Sequence, residues 1–415
     1  MNRIAAVLVI SCTLLAPLTA NADPVLYWNE IAARLPGAPN PFEQSRRLAI
    51  VQLSVFEAVN AITGEYEPYL GGAVTPAPGA SVDAAAIQAA YRALRQLYPG
   101  SAVTLDAELA AALAALPDEP AKLAGIATGE SAALAVLASR VNDGAQTPAA
   151  YLPASAKPGE YQLTTSCAAG VLFHWQHVRP FALPSVADFI APPPPALGSV
   201  AYAKDYAEVH LAGSATAGGG ERPQDRADVA RLYAVSSPGY IWSLAARQVA
   251  AVQGRSSTHT ARTLAVMAVS INDALIVSFA SKYTYKLWRP ETAIRSGDTD
   301  GNARTAVDPS FATYLLTPCF PSYPSNHASG SNGGAEALRR AYGEGEHVIT
   351  MTNPFAPAPV SGMSFSYDTF DQLCNDIDDA RVYAGIHFRF DQDAGNRLGR
   401  EVATYVHKNL LRPVH

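Results

Sequence analysis

Cysteine is scarce in this chain, and its spacing excludes a good deal of chemistry. Four cysteines occur in 415 residues, at 12, 167, 319 and 374. No C-x-x-C is present for a dithiol centre and no C-x-x-C-H for covalent haem. Charge is sparse too: 16% of residues are Asp, Glu, Lys or Arg, and the net charge is −6. Without an excess of positive charge, nothing points to nucleic acid or to an anionic membrane surface as a partner. Long uninterrupted apolar runs are also missing. The best of them, "LAVMAVSINDALIVSFA" (264–280), is broken by Asn272 and Asp273. It reads as a buried helix, not a membrane span, and the chain is not expected to be an integral membrane protein.

What is present begins with a leader. "MNRIAAVLVISCTLLAPLTANADP" carries one early positive charge at Arg3, an apolar stretch, and then Ala20-Asn21-Ala22. This is the pattern of a secretory signal with an A-x-A cleavage site, so residues 1–22 are set aside and a secreted or periplasmic protein is expected. Cys12 leaves with the leader, and the loss of Arg3 takes the net charge to −7. Three cysteines remain, which allows at most one intramolecular disulfide.

Helical periodicity dominates the rest. Apolar residues recur at i, i+3, i+4 over 43–62, 83–97, 105–115, 119–141, 224–235, 242–252, 259–280, 329–342, 366–385 and 391–409. Strand-like alternation is scarce, so the expected class is mainly α. Connectors rich in Pro and Gly fall at 71–80, 191–199, 213–223 and 353–363. We read an N-terminal helical half over 23–222 and a C-terminal helical bundle over 223–415. A faint internal echo supports two related bundles: "AIVQLSVFEAVNA" (49–61) and "AVMAVSINDALIV" (265–277) match Ser54 and Glu57 with Ser270 and Asp273. Coincidence between Ala/Val-rich helices would give the same match.

Three stretches stand out. "KYTYKLWRPETAIR" places Lys282 seven residues before Arg289-Pro290. "YPSNHAS" brings Ser325, Asn326 and His327 together after a proline. "ARVYAGIHFRFDQDAG" spaces Arg381, His387 and Asp391 six and four residues apart. Taken singly, Lys282 or Arg289 would read as a snorkelling side chain, and His387 with Asp391 as an i,i+4 helix contact. As a set they offer two arginines, a lysine, a serine hydroxyl and two histidines, which suits a tetrahedral oxyanion of several charges. Arginine presents a planar fork, lysine a point charge, serine a neutral donor. The small residues 328–334 look like the start of a helix whose free N–H groups favour an anion.

In this order the motifs K-x6-R-P, P-S-x-H and R-x5-H-x3-D resemble the superfamily of vanadium-dependent haloperoxidases, type-2 phosphatidic acid phosphatases and bacterial acid phosphatases. "FPSYPSNHA", "WQHVRPFAL" (175–183) and the long helical half ahead of the motifs are most similar to the haloperoxidases. The resemblance implies two packed helical bundles with the active site in the C-terminal one. It implies that His387 bonds vanadium, or attacks phosphorus in a phosphatase, and that His327 is the acid/base. Lys282, Arg289, Arg381, Ser325 and the Asn326 backbone would hold the other oxygens, so the implied cofactor is vanadate(V). Asp391 would orient His387 or pair with Arg381, and Asp273 is a candidate partner for an arginine. The cationic cluster should depress both histidine pKa values. Two departures stand out: Asn326 replaces the family's glycine, and Ala380 its serine.

The implied activity is oxidation of halide by hydrogen peroxide to hypohalous acid, with a small organic acceptor downstream. The alternatives are a periplasmic acid phosphatase working through a phosphohistidine and an inactive oxyanion-binding module. Phe320 stands where the haloperoxidases it resembles carry an aromatic residue if they oxidise chloride and often histidine if they oxidise bromide; plain core packing beside Pro321 would also account for it. Cys319 and Cys374 flank two of the site segments, and if any cysteines pair, these two are expected to, with Cys167 left free.

Overall fold

The structure is a computed structural model that describes residues 23–414; the leader expected over 1–22 lies outside the described residues. It is built almost wholly of helices. The N-terminal half holds α1 (Pro24–Arg34), α2 (Pro41–Thr63), α3 (Val82–Leu97), α4 (Ala102–Ala114), α5 (Pro120–Ser139) and α6 (Val200–Ala212). The C-terminal half holds α7 (Gln224–Ala234), α8 (Pro238–Gln253), α9 (Ser257–Tyr285), α10 (Pro290–Arg295), α11 (Asn326–Tyr342), α12 (Phe370–Tyr383) and α13 (Arg389–Asn409). The mainly α expectation is borne out. All ten periodic stretches fall on helices, and α1, α6 and α10 are additional to them.

One helix is shorter than its periodicity predicts. Residues 364–367 form a strand, β2 (Ser364–Tyr367), antiparallel to β1 (Ile349–Thr352), and the helix expected from 366 begins at Phe370. Thr369 and Gln372 set that start with a reciprocal capping box, which satisfies two orphan backbone donors at once.

In the N-terminal half α2, α3 and α5 pack on one another; in the C-terminal half α11 lies between α9 and α13. The two groups meet where α2 packs on α9. Helix α9 is the axle of the fold. It is long and apolar enough to cross a membrane, yet that apolar stretch is entirely buried in protein. α5 is also long and apolar enough, and it is partly buried. Asparagine 40 starts α2 by accepting from the N–H groups of Phe42 and Glu43, with Pro41 at the first helical position. Close approach of α11 and α13 depends on glycine: a Cβ on Gly395 would lie 2.7 Å from the Ser325 carbonyl oxygen, and one on Gly399 would collide with the Ser329 carbonyl.

The disulfide joins Cys167 to Cys319, with Cα atoms 5.4 Å apart, and Cys374 is the free thiol. This corrects the expected Cys319–Cys374 pair. Cys374 sits on the inward face of α12, 2% exposed, where burial pushes its thiol pKa up. Cys319 instead lies beside the 164–171 loop, and its carbonyl accepts from the Val171 N–H at 2.8 Å.

Candidate functional site

Helix α9 ends by delivering Lys282, which is fully buried. Its ammonium donates to the carbonyls of Pro321 (2.8 Å) and Ser322 (2.6 Å), fixing the proline-rich loop beneath it. Arg289, at the N-cap of α10, is also fully buried. Its Nε donates to the Phe320 carbonyl at 2.7 Å, and one Nη donates to the Ile386 carbonyl at 2.8 Å and to His387 Nε2 at 3.1 Å. The other Nη is buried without a partner. On the last turn of α12, Arg381 is 5% exposed, and its Nε and one Nη are likewise buried and unpartnered. Buried guanidinium N–H groups are rarely left orphaned, so these three atoms mark a place shaped for acceptor oxygens.

His387 stands just ahead of α13 and is 2% exposed. Its Nδ1 lies 2.8 Å from Asp391 Oδ2, and the same oxygen accepts from Ser322 Oγ (2.6 Å) and the Phe388 N–H (3.1 Å). Arginine can only donate, so Nε2 is the acceptor and the neutral ring carries its proton on Nδ1, toward Asp391. Of the two roles expected for Asp391, the structure selects orientation of His387. Ser325 caps α11, accepting from the Ala328 N–H, while its own N–H donates to the Asp391 carbonyl at 2.9 Å. Asn326 opens α11 outside the left-handed region, and its Oδ1 accepts from Ser278 Oγ at 3.0 Å. Its side chain is thereby held by α9, and helical geometry here does not require glycine.

Burial is the largest cause holding His387 well below the ordinary histidine range, followed by the charges of Arg289, Lys282 and Arg381. His327 is lowered in the same direction by burial first and Arg381 next, with the backbone of Ser236 and Tyr233 opposing. Burial and the two arginines pull Lys282 down against the raising field of Asp391. Burial brings Arg381 to about 9 and Arg289 to about 10, so both guanidiniums stay charged near neutral pH. Burial lifts Asp391 to about 6. Two guanidiniums and the Lys282 amine thus face one carboxylate in a buried site, an excess of donors over acceptors that suits an anion.

Among the residues singled out in the sequence, Lys282, Arg289, Ser325, Asn326, Arg381, His387 and Asp391 are tied into one buried cluster. His327 feels the charge of Arg381 and is the partly exposed member, set in the wall of a cavity of about 450 Å³. Phe320 lies with its ring centroid 5.3 Å from Lys282 Nζ and 5.0 Å from the Arg289 guanidinium. It also packs on Phe279 (5.2 Å) and Phe42 (6.3 Å), so site and core share this ring. Asp273 is the exception. Rather than pairing with an arginine of the site, its carboxylate accepts from the N–H groups of Phe181, Ala182 and Leu183 at 2.8–3.3 Å. It anchors the end of the "WQHVRPFAL" tract, since a buried carboxylate is satisfied as well by backbone donors as by a cation. Sequence reasoning missed Ser322, which donates to Asp391; its signal was the repeated Pro-Ser step in "PSYPS".

Comparison with known proteins bears on the fold. Residues 262–415 match the model of the VCPO second helical-bundle domain. The fold is shared with a bacterial vanadium-dependent iodoperoxidase (TM-score 0.78, 23% identity, covering 94% of this chain and 96% of that one). It is shared also with a bacterial vanadium-dependent chloroperoxidase in its apo form (0.71, 17%, 90% and 95%) and in its holo form (0.70, 18%, 92% and 95%). No curated protein matches by sequence. The resemblance read from the motifs is borne out in the fold and in the second-bundle domain.

Proposed function

We propose that this chain is an exported vanadium-dependent haloperoxidase that oxidises halide with hydrogen peroxide. The observation that carries the reading is the set of unpartnered, buried N–H groups on Arg289 and Arg381, the first of them on the guanidinium whose other Nη donates to the Nε2 of a buried His387. These residues fit vanadate. Arg289, Arg381, Lys282, Ser325 and the first N–H groups of α11 would hold its oxygens, and His387 Nε2 its metal. Bound there, vanadate(V) supplies an electrophilic centre that activates peroxide without changing its own oxidation state.

The protein's part is derived from its own groups. Asp391 holds the Nδ1 proton of His387 and keeps Nε2 unprotonated. Burial of all three cations excludes water, which strengthens each charge–charge interaction. His327, between the cluster and the cavity, takes up and returns a proton, because its depressed pKa keeps the ring neutral until negative charge arrives. The matching folds are those of an iodoperoxidase and a chloroperoxidase, which supports halide as the substrate class. The Cys167–Cys319 disulfide supports an oxidising compartment, as expected of an exported chain.

The test is protein freed of oxyanion, assayed with and without vanadate for bromide oxidation by peroxide and for phosphomonoester hydrolysis. Bromide oxidation that requires vanadate is expected. Ester hydrolysis that vanadate merely inhibits, with no peroxide-dependent oxidation, would replace this reading by the phosphatase one.

A further inference from the structure

Asn326 stands where the resembling family has glycine, so its side chain brings to the cluster something glycine does not have. The residue opens α11, between Ser325, which caps the helix, and His327. One end of its amide is fixed. Oδ1 accepts from Ser278 Oγ at 3.0 Å. Helical hydroxyls commonly turn back on their own helix, as Ser54 does to the Ile50 carbonyl and Thr284 to the Ala280 carbonyl, at 2.8 Å each. Ser278, with no exposed area, gives its proton to Asn326 instead. That bond sets which branch of the amide is oxygen, and it leaves both N–H donors on Nδ2.

The nitrogen end is free. Among the described residues Nδ2 has no acceptor within hydrogen-bond distance. The unpartnered carboxylate oxygen of the cluster, Asp391 Oδ1, forms no bond with it. Nor is Nδ2 sealed in like the orphaned nitrogens of Arg289 and Arg381; it keeps accessible surface in a residue only 5% exposed. Lys282, Arg289 and Ser325 are 0% exposed, whereas Asn326 and Arg381 keep 5% each and His327 more. What access the cluster has therefore runs past these three. A donor held rigid at one end, unpaired at the other and set among cations suits an oxygen of an anion.

We propose that the Asn326 side chain is a further ligand of the oxyanion site, with Nδ2 donating to an oxygen of the bound anion in addition to the backbone N–H. The inference rests on the reading of the cluster as an oxyanion site. Ser278 is the positioning residue: it lies one turn ahead of Lys282, so α9 supplies both a cation of the site and the hold on its neutral donor. A neutral amide adds a hydrogen bond without adding to the repulsion among Lys282, Arg289 and Arg381.

Sulfate is the probe, titrated by calorimetry into oxyanion-free wild type, Asn326→Ala and Asn326→Gly at one pH and ionic strength. Both variants keep the backbone N–H and should bind at least about tenfold more weakly, the worth of one hydrogen bond to a charged group. Heteronuclear NMR of protein labelled at asparagine supplies the second readout. The side-chain amide signal that is missing in Asn326→Ala should move downfield in the wild type as sulfate is added, saturating at the calorimetric Kd. An asparagine that only braces the helix would change unfolding and leave both readouts where they were. Equal sulfate affinity in the three proteins, or an Asn326 amide signal that sulfate does not move downfield, would overturn the proposal. Failure of the wild type to bind sulfate at all would overturn it together with the oxyanion site. The first two results can coexist with vanadate-dependent bromide oxidation, so loss of this ligand and loss of the haloperoxidase reading are told apart.

Discussion

Asp391 meets four groups at once: the His387 ring, the Ser322 hydroxyl and the Phe388 N–H on its carboxylate, and the Ser325 N–H on its carbonyl. Truncation to Ala releases the ring that must present Nε2. Partners of this kind are worth about 10–100-fold in affinity for a bound metal group, so Asp391→Ala should weaken vanadate binding by that order in equilibrium dialysis. Asp391→Asn should recover part of it, because an amide oxygen still accepts from Nδ1; equal losses would mean that orientation is not what Asp391 does. Phe320 makes a second residue-scale case. Its ring lies against Lys282 and Arg289 and keeps that side dry. Phe320→His adds a donor and a titrating group there, and chloride oxidation should fall while bromide oxidation persists. Parallel loss of both halides would reduce Phe320 to a prop for the loop. The charged members of the site were legible in the sequence because cations at fixed spacing are conspicuous. Ser322 and the true partner of Asp273 were not: a serine in a turn is ordinary, and backbone donors leave no mark in a sequence.

The internal echo has a counterpart at the scale of elements. Helices α2 and α9 pack on each other, and their matching acids do matching work. Glu57 accepts from the Tyr69 N–H, and Asp273 from the 181–183 backbone. Both tie a loop to a buried helix. The α11–α13 contact is the one that sets the site, since Ser325 and His387 stand at its two near ends. A methyl at Gly395 would press on Ser325 and Ala328; one at Gly399 would press on Ser329, a turn further away. Each Gly→Ala should cost about 1–3 kcal/mol in urea unfolding, as overpacking does. Only Gly395→Ala should also weaken oxyanion binding. If Gly399→Ala weakens it equally, the contact does not position the site in this local way. Ten helix positions were readable from period alone, but α1, α6 and α10 were not, and neither was β2: "SFSY" alternates over four residues, too few to outweigh the helical pattern that follows. The cysteine pairing was hidden for a related reason, since 152 residues separate Cys167 from Cys319 and only the folded loops bring them together.

At the scale of the whole molecule the fold holds unbalanced positive charge inside a protein of negative net charge. A bound anion raises the pKa of every group near it, so His327, His387, Lys282 and Asp391 all shift the same way on binding. Protons are therefore taken up, and affinity must fall as pH rises through the pKa values of the bound state. Sulfate is a suitable probe because it does not itself titrate near neutrality. Its affinity should increase from pH 8 to pH 5, by at most about tenfold per pH unit for each proton taken up, and calorimetry in buffers of different ionisation enthalpy should register the uptake. A flat profile would show that the depressed histidines are not coupled to the anion site. The most direct measurement of the central claim is a titration of vanadate into oxyanion-free protein while peroxide-driven bromide oxidation is followed. Activity should rise from zero, saturate at one vanadate per chain, be opposed competitively by phosphate, and stay absent in a folded His387→Ala variant. Bromide oxidation that needs no vanadate, or that survives in His387→Ala, would contradict it.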